Sequence, residues 1–381
     1  MGIDVLSPQG ILQLAQGREP VIDISDGKRR EFILRSPAAI QEVLMGAAAK
    51  VTRPSKIFYW RRLMECIGND GLPLAIRSLK NDYIHSLDIE LAPGDIYTTG
   101  DIRTVSERKL NLAVLSVMLS GYKRVIPPQS LELFITASDT VERFKSAVNE
   151  KQVPGLPDRL FFAQAVADQR DFALDIFKHI GKNMPIHAGD QELYHTFREE
   201  VDSIIGILHF SCKNISNAIG WTLCNLTAGE KCSWHDVYPV ILESLRLFPP
   251  NWLFHRSVME GFNLCGVTMQ DGDLLHISPL LTHRCAEYWD NPNAFKPDRF
   301  LRGRKIDPWA YIPFGRSFTK CPGTNLSFKI IRFFVEKIVE ENLVTRHEAF
   351  LPVLRNTISL NPFPLQGVRL EMRKQSRMPA I

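Results

Sequence analysis

Apolar residues Phe197, Val201, Ile204, Ile205 and Leu208 recur every three or four positions and predict one long helix over about 193–226. Amphipathic helical stretches also fill residues 120–192, broken at VIPP and VPGLP. A further helix over roughly 234–247 carries PVILESLRLF and is stopped by Pro249 and Pro250. Residues 101–119, DIRTVSERKLNLAVLSVML, read as a helix that turns from charged to apolar. Nearer the start, REFILRS reads as a strand and PAAIQEVLMGAAA as a helix. Alternation over 252–285, punctuated by Gly266 and Gly272, predicts short strands. The Pro-, Asp- and Asn-rich stretch 286–320 is expected to be irregular, and a closing helix follows over about 323–342. The fold class is therefore mainly α with a minor β portion.

One feature breaks this pattern. The long apolar helix carries Lys213 and Asn214 side by side near its middle, in HFSCKNISNAIGW. A buried ammonium costs several kcal/mol unless it is paired, so it needs a partner or a function.

Composition narrows the classes. The chain has 381 residues, 45% of them hydrophobic and 23% charged, enough for a large core. A net charge of +4 is too small to point to nucleic acid or a membrane surface. No run of 18 apolar residues occurs, so no membrane anchor is expected. The N-terminus MGIDVLSPQG has neither a secretory nor a myristoylation pattern, and a cytoplasmic protein is expected. Seven scattered cysteines form no CxxC pair, which excludes a zinc site of that kind and a disulfide framework. Six of them are expected to be small buried hydrophobes. Cys321 stands apart.

In PFGRSFTKCPG, a turn at Phe314 and Gly315 precedes Cys321 by seven residues from Phe314, and Gly323 then leads into a helix. A thiol among backbone N–H donors near a helix N-terminus is expected to have a lowered pKa, favouring the metal-binding thiolate. Glu243 and Arg246 form an ExxR pair on one helix face. Their neighbours Ile241, Leu242, Leu245 and Leu247 are apolar, so the pair wants a third partner, and NPNAFKPDRF offers Arg299.

ExxR, then PxRF, then a Phe-Gly turn and Cys-x-Gly, in this order and at these gaps, resembles the cytochrome P450 family. LRLFPP and VTMQDGDLLHISPLLTHR add to the likeness, which is clearest over about 234–345. The resemblance implies a single helical prism over 1–381 around haem b. Short strands and helices occupy about 1–100, a helical core with the haem loop about 101–345, and a strand and loop region about 346–381. It implies Cys321 as the proximal thiolate, with Phe314 shielding the sulfur and Gly323 allowing close backbone approach. Glu243, Arg246 and Arg299 would brace the haem loop. Arg256 matches the family's propionate arginine, and Arg103 is a second candidate, in the helix after TTGD.

Three departures follow. Ser317 and Thr319 stand where the family has Gly and then Arg or His, so Lys320 or water would replace one propionate contact beside Thr319. In the long helix, Phe210 to Asn214 stand where Ala-Gly-x-acid-Thr is expected, and no Asp, Glu or Thr occurs between 203 and 221. Asn214 and Glu243 are 29 positions apart, short for the family, which implies trimmed helices over the pocket. The acid and alcohol normally relay protons during dioxygen cleavage, a task that Lys213 and Asn214 cannot copy. Three functions are consistent with this. The first is monooxygenation of a small organic molecule, fed by a ferredoxin-type donor. The second is peroxygenase, dehydratase or isomerase chemistry, in which Lys213 would pair with a substrate carboxylate and Asn214 would line the pocket. The third is non-enzymatic haem binding.

Overall fold

The computed structural model describes residues 6–26, 29–51, 103–119, 126–149, 155–180, 189–226, 237–301, 305–317, 320–321, 323–341, 343–345 and 368–372. Thr319, Cys66 and Cys232 lie outside the described residues.

The chain opens with α1 (Pro8–Gln13), β1 (Val21–Asp23), β2 (Glu31–Leu34) and α2 (Pro37–Gln41). Then come β3 (Arg103–Val105) and the helices α3 (Glu107–Met118), α4 (Pro128–Asn149), α5 (Leu156–Ile180), α6 (Asp190–Thr196), α7 (Arg198–Asn225) and α8 (Tyr238–Leu247). Strands β4 (Phe254–Ser257), β5 (Phe262–Leu264), β6 (Val267–Met269) and β7 (Leu274–Ile277) precede the short α9 (Pro279–Thr282). The closing helix α10 (Thr324–Glu340) is followed by β8 (Leu343–Thr345) and β9 (Val368–Met372). Mainly helix with minor sheet is the observed class.

Local chemistry sets several of these starts. Ser7, Ser36 and Ser278 each cap a helix through the side-chain oxygen, and each is followed by proline at the first helical position. Ser106 caps α3 by accepting the Lys109 N–H at 3.3 Å. That cap corrects the single helix expected over 101–119. The β-branched Thr104 and Val105 before it are extended, and Arg103 lies in β3, paired with Leu370 of β9. The helix expected over 193–226 is likewise split at Phe197, whose backbone leaves helical geometry (φ −119°, ψ 33°) and whose ring packs 5.3 Å from Phe177.

A four-stranded sheet runs β1–β2–β7–β4, with β2 and β7 parallel and the outer pairs antiparallel. It therefore joins residues 21–34 to residues 254–277. Its register puts Phe32, Leu34, Leu275, Ile277 and Arg256 on one face, and Glu31, His276 and His255 on the other. The first face packs with Trp309 and Ile312, which lead into the cysteine loop. The helical core lies around α7, where Val201, Leu208, Ile215 and Ile219 meet Val114 of α3, Phe134 of α4, Phe177 of α5 and Phe334 of α10.

The cysteines correct another expectation. Cys212 and Cys285 are buried and Cys224 is half-buried, but Cys265 is exposed. With Gly266 it forms the two-residue β5–β6 hairpin turn at φ 49° and 86°, which places its side chain outside the core.

Candidate functional site

The cysteine loop is built from its own backbone. Gly315 donates to the Ile312 carbonyl at 3.0 Å, and Cys321 donates to the Phe314 carbonyl at 2.8 Å. Gly315 needs its glycine, since its φ is 67°. Ser317 also adopts a left-handed φ of 56°, so this serine keeps a turn that glycine would make at less cost. The Phe314 ring lies 5.0 Å from Phe328, packed between the loop and the start of α10. Thr324 closes the turn by donating its hydroxyl to the Cys321 carbonyl at 2.6 Å.

Cys321 is exposed, yet burial raises its thiol pKa against the Gly323 N–H bond and the Lys320 charge. Both hold if the sulfur opens onto a recess walled by protein rather than onto bulk water. The expected lowering of the thiol pKa is therefore corrected: desolvation outweighs the helix start and the N–H donor. Gly323 is expected to allow close backbone approach, and its own conformation does not require glycine. Its φ is −82°, and a Cβ there would stand 3.7 Å from the Cys321 sulfur, an ordinary contact. Among the described residues, none would clash with a side chain at that position.

Behind the loop, the structure brings Glu243, Arg246 and Arg299 together. Arg246 grips Glu243 with two N–H bonds of 2.7 and 2.8 Å. Its remaining donors reach the carbonyls of His283, Pro292 and Ala294 at 2.7, 2.7 and 3.1 Å. Arg299 lies 3.3 Å from Glu243, which also accepts the Lys296 N–H at 2.8 Å. Glu243 and Arg246 have no exposed surface, so the charges are compensated entirely by protein.

Two residues that sequence reasoning did not assign tie this network to the cysteine. His283 donates through Nδ1 to the Arg246 carbonyl at 3.0 Å and accepts the Ile312 N–H on Nε2 at 2.9 Å. Burial pulls its pKa down to about 3, so it is the neutral form that bridges. Tyr311 donates to the Leu242 carbonyl at 2.9 Å and stacks on His283. The LLTHR stretch was a visible signal; its role needed the fold.

Arg256 is buried on the sheet face that packs against Trp309 and Ile312, just before the cysteine loop. It donates to the His255 carbonyl at 2.6 Å, but its Nε has no partner and no carboxylate is paired with it among the described residues. Burial pulls its pKa down to about 10. A desolvated cation without a counter-charge fits an anionic group bound beside it. Arg103, by contrast, sits on a strand next to β9 rather than on the expected helix, so the geometry that made it a propionate candidate is absent.

In α7 the Lys213 ammonium contacts the carboxylates of Glu107 on α3 and, at 2.7 Å, Glu142 on α4. Burial pulls its pKa down, but the two carboxylates outweigh that and hold it above the ordinary lysine value. This corrects the reading in which Lys213 awaits a substrate carboxylate: its charge is already neutralised within the chain. Asn214 lies with Ile207, Phe210 and Ser211 on a half-buried stripe of the same helix.

The cytochrome P450 family model matches residues 237–364. Taxane 10-beta-hydroxylase of Taxus cuspidata is 31% identical over 163 residues, covering 40% of this chain and 32% of the relative. Cyclooctatin synthase of Streptomyces melanosporofaciens is 40% identical over 86 residues, covering 22% of this chain and 19% of the relative. The chain thus spans about a third or less of the curated relatives it matches. A six-coordinated cytochrome P450 from Thermus thermophilus superposes with a TM-score of 0.69 at 17% identity, covering 96% of this chain and 98% of that one. A zebrafish cytochrome P450 structure with progesterone gives 0.66 at 16% identity, covering 96% and 99%. The described helices of this chain include none long and apolar enough to cross a membrane. The family model over residues 237–364 and the superposition on known P450 structures over 96% of the chain agree: this chain has the cytochrome P450 fold and is similar, over that segment, to the cytochrome P450 family, whose resident group is haem b.

Proposed function

We propose that this chain is a haem-thiolate oxidoreductase that tailors a small organic molecule by monooxygenation. The observation that carries the reading is Cys321, an exposed residue on the loop after Phe314 and Gly315, with the Gly323 N–H bonded to its sulfur. Haem b, when bound, supplies the redox chemistry. The chain's own residues then have separable tasks. Cys321 ligates through sulfur, Arg256 neutralises an acidic side group, and the Glu243–Arg246–Arg299 network with His283 fixes the loop that carries the cysteine. A hydroxylase and a monooxygenase among the relatives, the second being beta-amyrin 16-beta-monooxygenase of Platycodon grandiflorus, favour oxygen insertion.

Electrons are proposed to come from an acidic ferredoxin-type donor meeting the basic residues near the cysteine. Lys320 is exposed there. Arg332 is already paired with Glu336 at 2.6 Å, which offsets its charge, while Arg316 lies over Trp309 and keeps its own.

One observation favours a second reading, chemistry without dioxygen activation. Lys213 is locked between two carboxylates and Asn214 does not titrate, so neither position offers an acid to the pocket. A carbon monoxide difference spectrum of the reduced protein tests the thiolate assignment, and loss of the thiolate band in Cys321→Ala is expected. Turnover with an electron donor, with peroxide, and with neither then separates the readings. Product formed without any electron donor would overturn the monooxygenase proposal.

A further inference from the structure

The sheet face opposite Arg256 carries a linear array of three side chains. Glu31 Oε2 lies 2.8 Å from His276 Nε2, and His276 Nδ1 lies 2.8 Å from His255 Nδ1. His255 and His276 are direct cross-strand partners on β4 and β7, so the backbone itself sets their spacing. His276 is buried, at 1% exposed, while His255 is exposed.

The carboxylate fixes the order of protons. Glu31 accepts from Nε2–H of His276, leaving a lone pair on His276 Nδ1. The proton in the gap between the rings then belongs to His255 Nδ1. Because His255 reaches solvent, that proton can move to its Nε2 at the cost of the inter-ring hydrogen bond, and two Nδ1 lone pairs then face the same gap, where an ion replaces the proton. A buried histidine oriented from behind by a carboxylate is the arrangement that metal-ligating histidines use.

The spacing selects the metal. At metal–nitrogen bonds of about 2.0–2.1 Å, nitrogens 2.8 Å apart subtend about 86° at the ion. That suits neighbouring positions of a square-planar or octahedral ion; a tetrahedral site would need about 3.3 Å. We propose that His255 and His276, with Glu31 behind His276, form a binding site for a divalent transition ion of the copper or nickel type. The remaining positions go to water on the exposed side of His255. No cluster of three or more metal-ligating side chains occurs among the described residues, so the two imidazoles carry the affinity. The charges of Arg256 and Arg29 act on His255, and that of Arg29 on His276, and oppose the ion, while Glu31 supplies the compensating charge.

Calorimetric titration with nickel(II) chloride tests this without any enzymatic readout. One nickel per chain is expected, with affinity at least about tenfold weaker in His255→Ala, which removes an exposed side chain and leaves the strand pairing intact. Glu31→Gln should weaken binding about tenfold by releasing the orientation of His276. Cys265→Ser should leave it unchanged. Copper(II) bound at one equivalent should show hyperfine coupling to two nitrogens in its electron paramagnetic resonance spectrum. Absence of nickel binding up to about 1 mM, binding unchanged in His255→Ala, or coupling to fewer than two nitrogens would each overturn the proposal.

Discussion

The Lys213 ammonium lies 2.7 Å from the Glu142 carboxylate, and this contact fastens the middle of α7 to α4, while Glu107 brings in the start of α3. The pairing belongs to a longer pattern on α4. Glu132, Thr136, Asp139 and Glu142 recur at intervals of three or four, one face of the helix, and meet two cations from neighbouring helices. Arg108 of α3 reaches Glu132, Thr136 and Asp139 at 2.7, 3.0 and 3.8 Å. Lys213 serves the last position. Desolvation raises the Asp139 carboxyl pKa, an effect the Lys213 charge opposes.

Removing Lys213 should therefore destabilise the fold before it touches any chemistry. Its side chain is 12% exposed, and Lys213→Ala leaves two largely buried carboxylates facing each other. A cost of about 2–3 kcal/mol is expected, somewhat below that of a fully buried pair. Urea denaturation should show a lower midpoint with an unchanged slope. Adding Glu107→Gln and Glu142→Gln to a Lys213→Met chain should restore most of the loss. A Lys213→Ala midpoint equal to the parent's would remove the clamp.

What could be read from the chain follows from how far each signal reaches. Glu243 and Arg246 are legible because one helical turn places them together, and the cysteine loop because its turn residues are contiguous. Arg103 was misplaced because the choice between strand and helix rested on the Ser106 cap and on a partner strand more than 260 residues away. The partners of Lys213 were not legible, since Glu107 and Glu142 approach it only after three helices pack. His283 lay in a recognisable stretch, yet its bond to Ile312 depends on the path of an irregular segment that no periodicity encodes.

Arg246 and Arg299 should differ sharply in what their loss costs. Arg246 satisfies five hydrogen bonds with no exposed surface, a geometry that lysine cannot reproduce. Arg246→Lys is expected to cost more than about 3 kcal/mol and to abolish the thiolate band of the reduced carbon monoxide complex. Arg299→Ala, whose contact to Glu243 is 3.3 Å, should cost less and retain part of that band. Equal losses in both variants would mean that the loop does not depend on the Arg246 bonds to backbone carbonyls.

Ser317 offers a change in the opposite direction. Its φ of 56° is disfavoured for a residue with a Cβ, and Ser317→Gly should stabilise the protein by about 0.5–1 kcal/mol. Ser317→Val should destabilise it, because a β-branched side chain tolerates that backbone least. Thermal midpoints that fail to order as glycine, serine, valine would show that the loop relaxes.

Acid should loosen the link between the ExxR helix and the cysteine loop. His283 is held at about 3 in the fold against an ordinary value near 6.5, so between these values the unfolded chain binds the extra proton. Stability contributed by neutral His283 is present above pH 6.5 and falls by about 1.4 kcal/mol per unit as pH drops through that window. His255 and His276, also lowered, act in the same direction. His283→Gln can still donate to Arg246 and accept from Ile312, and its stability should depend on pH by one proton less. An unchanged slope between about pH 4 and 6 would mean that His283 is already protonated in the folded protein.

Arg256 separates a ligand anchor from a structural cation. Its buried guanidinium has an unpartnered Nε, which costs about 1–3 kcal/mol in the haem-free protein. Arg256→Leu should therefore raise the thermal midpoint of haem-free protein while speeding the loss of haem to an apoglobin acceptor. A structural arginine would behave differently, since its removal would lower stability in both forms. Arg256→Lys keeps the charge but not the planar donor set, and should retain haem better than leucine and worse than arginine. If haem-free stability and haem retention fall together in Arg256→Leu, the orphaned nitrogen has a partner within the fold and the anion it faces lies elsewhere.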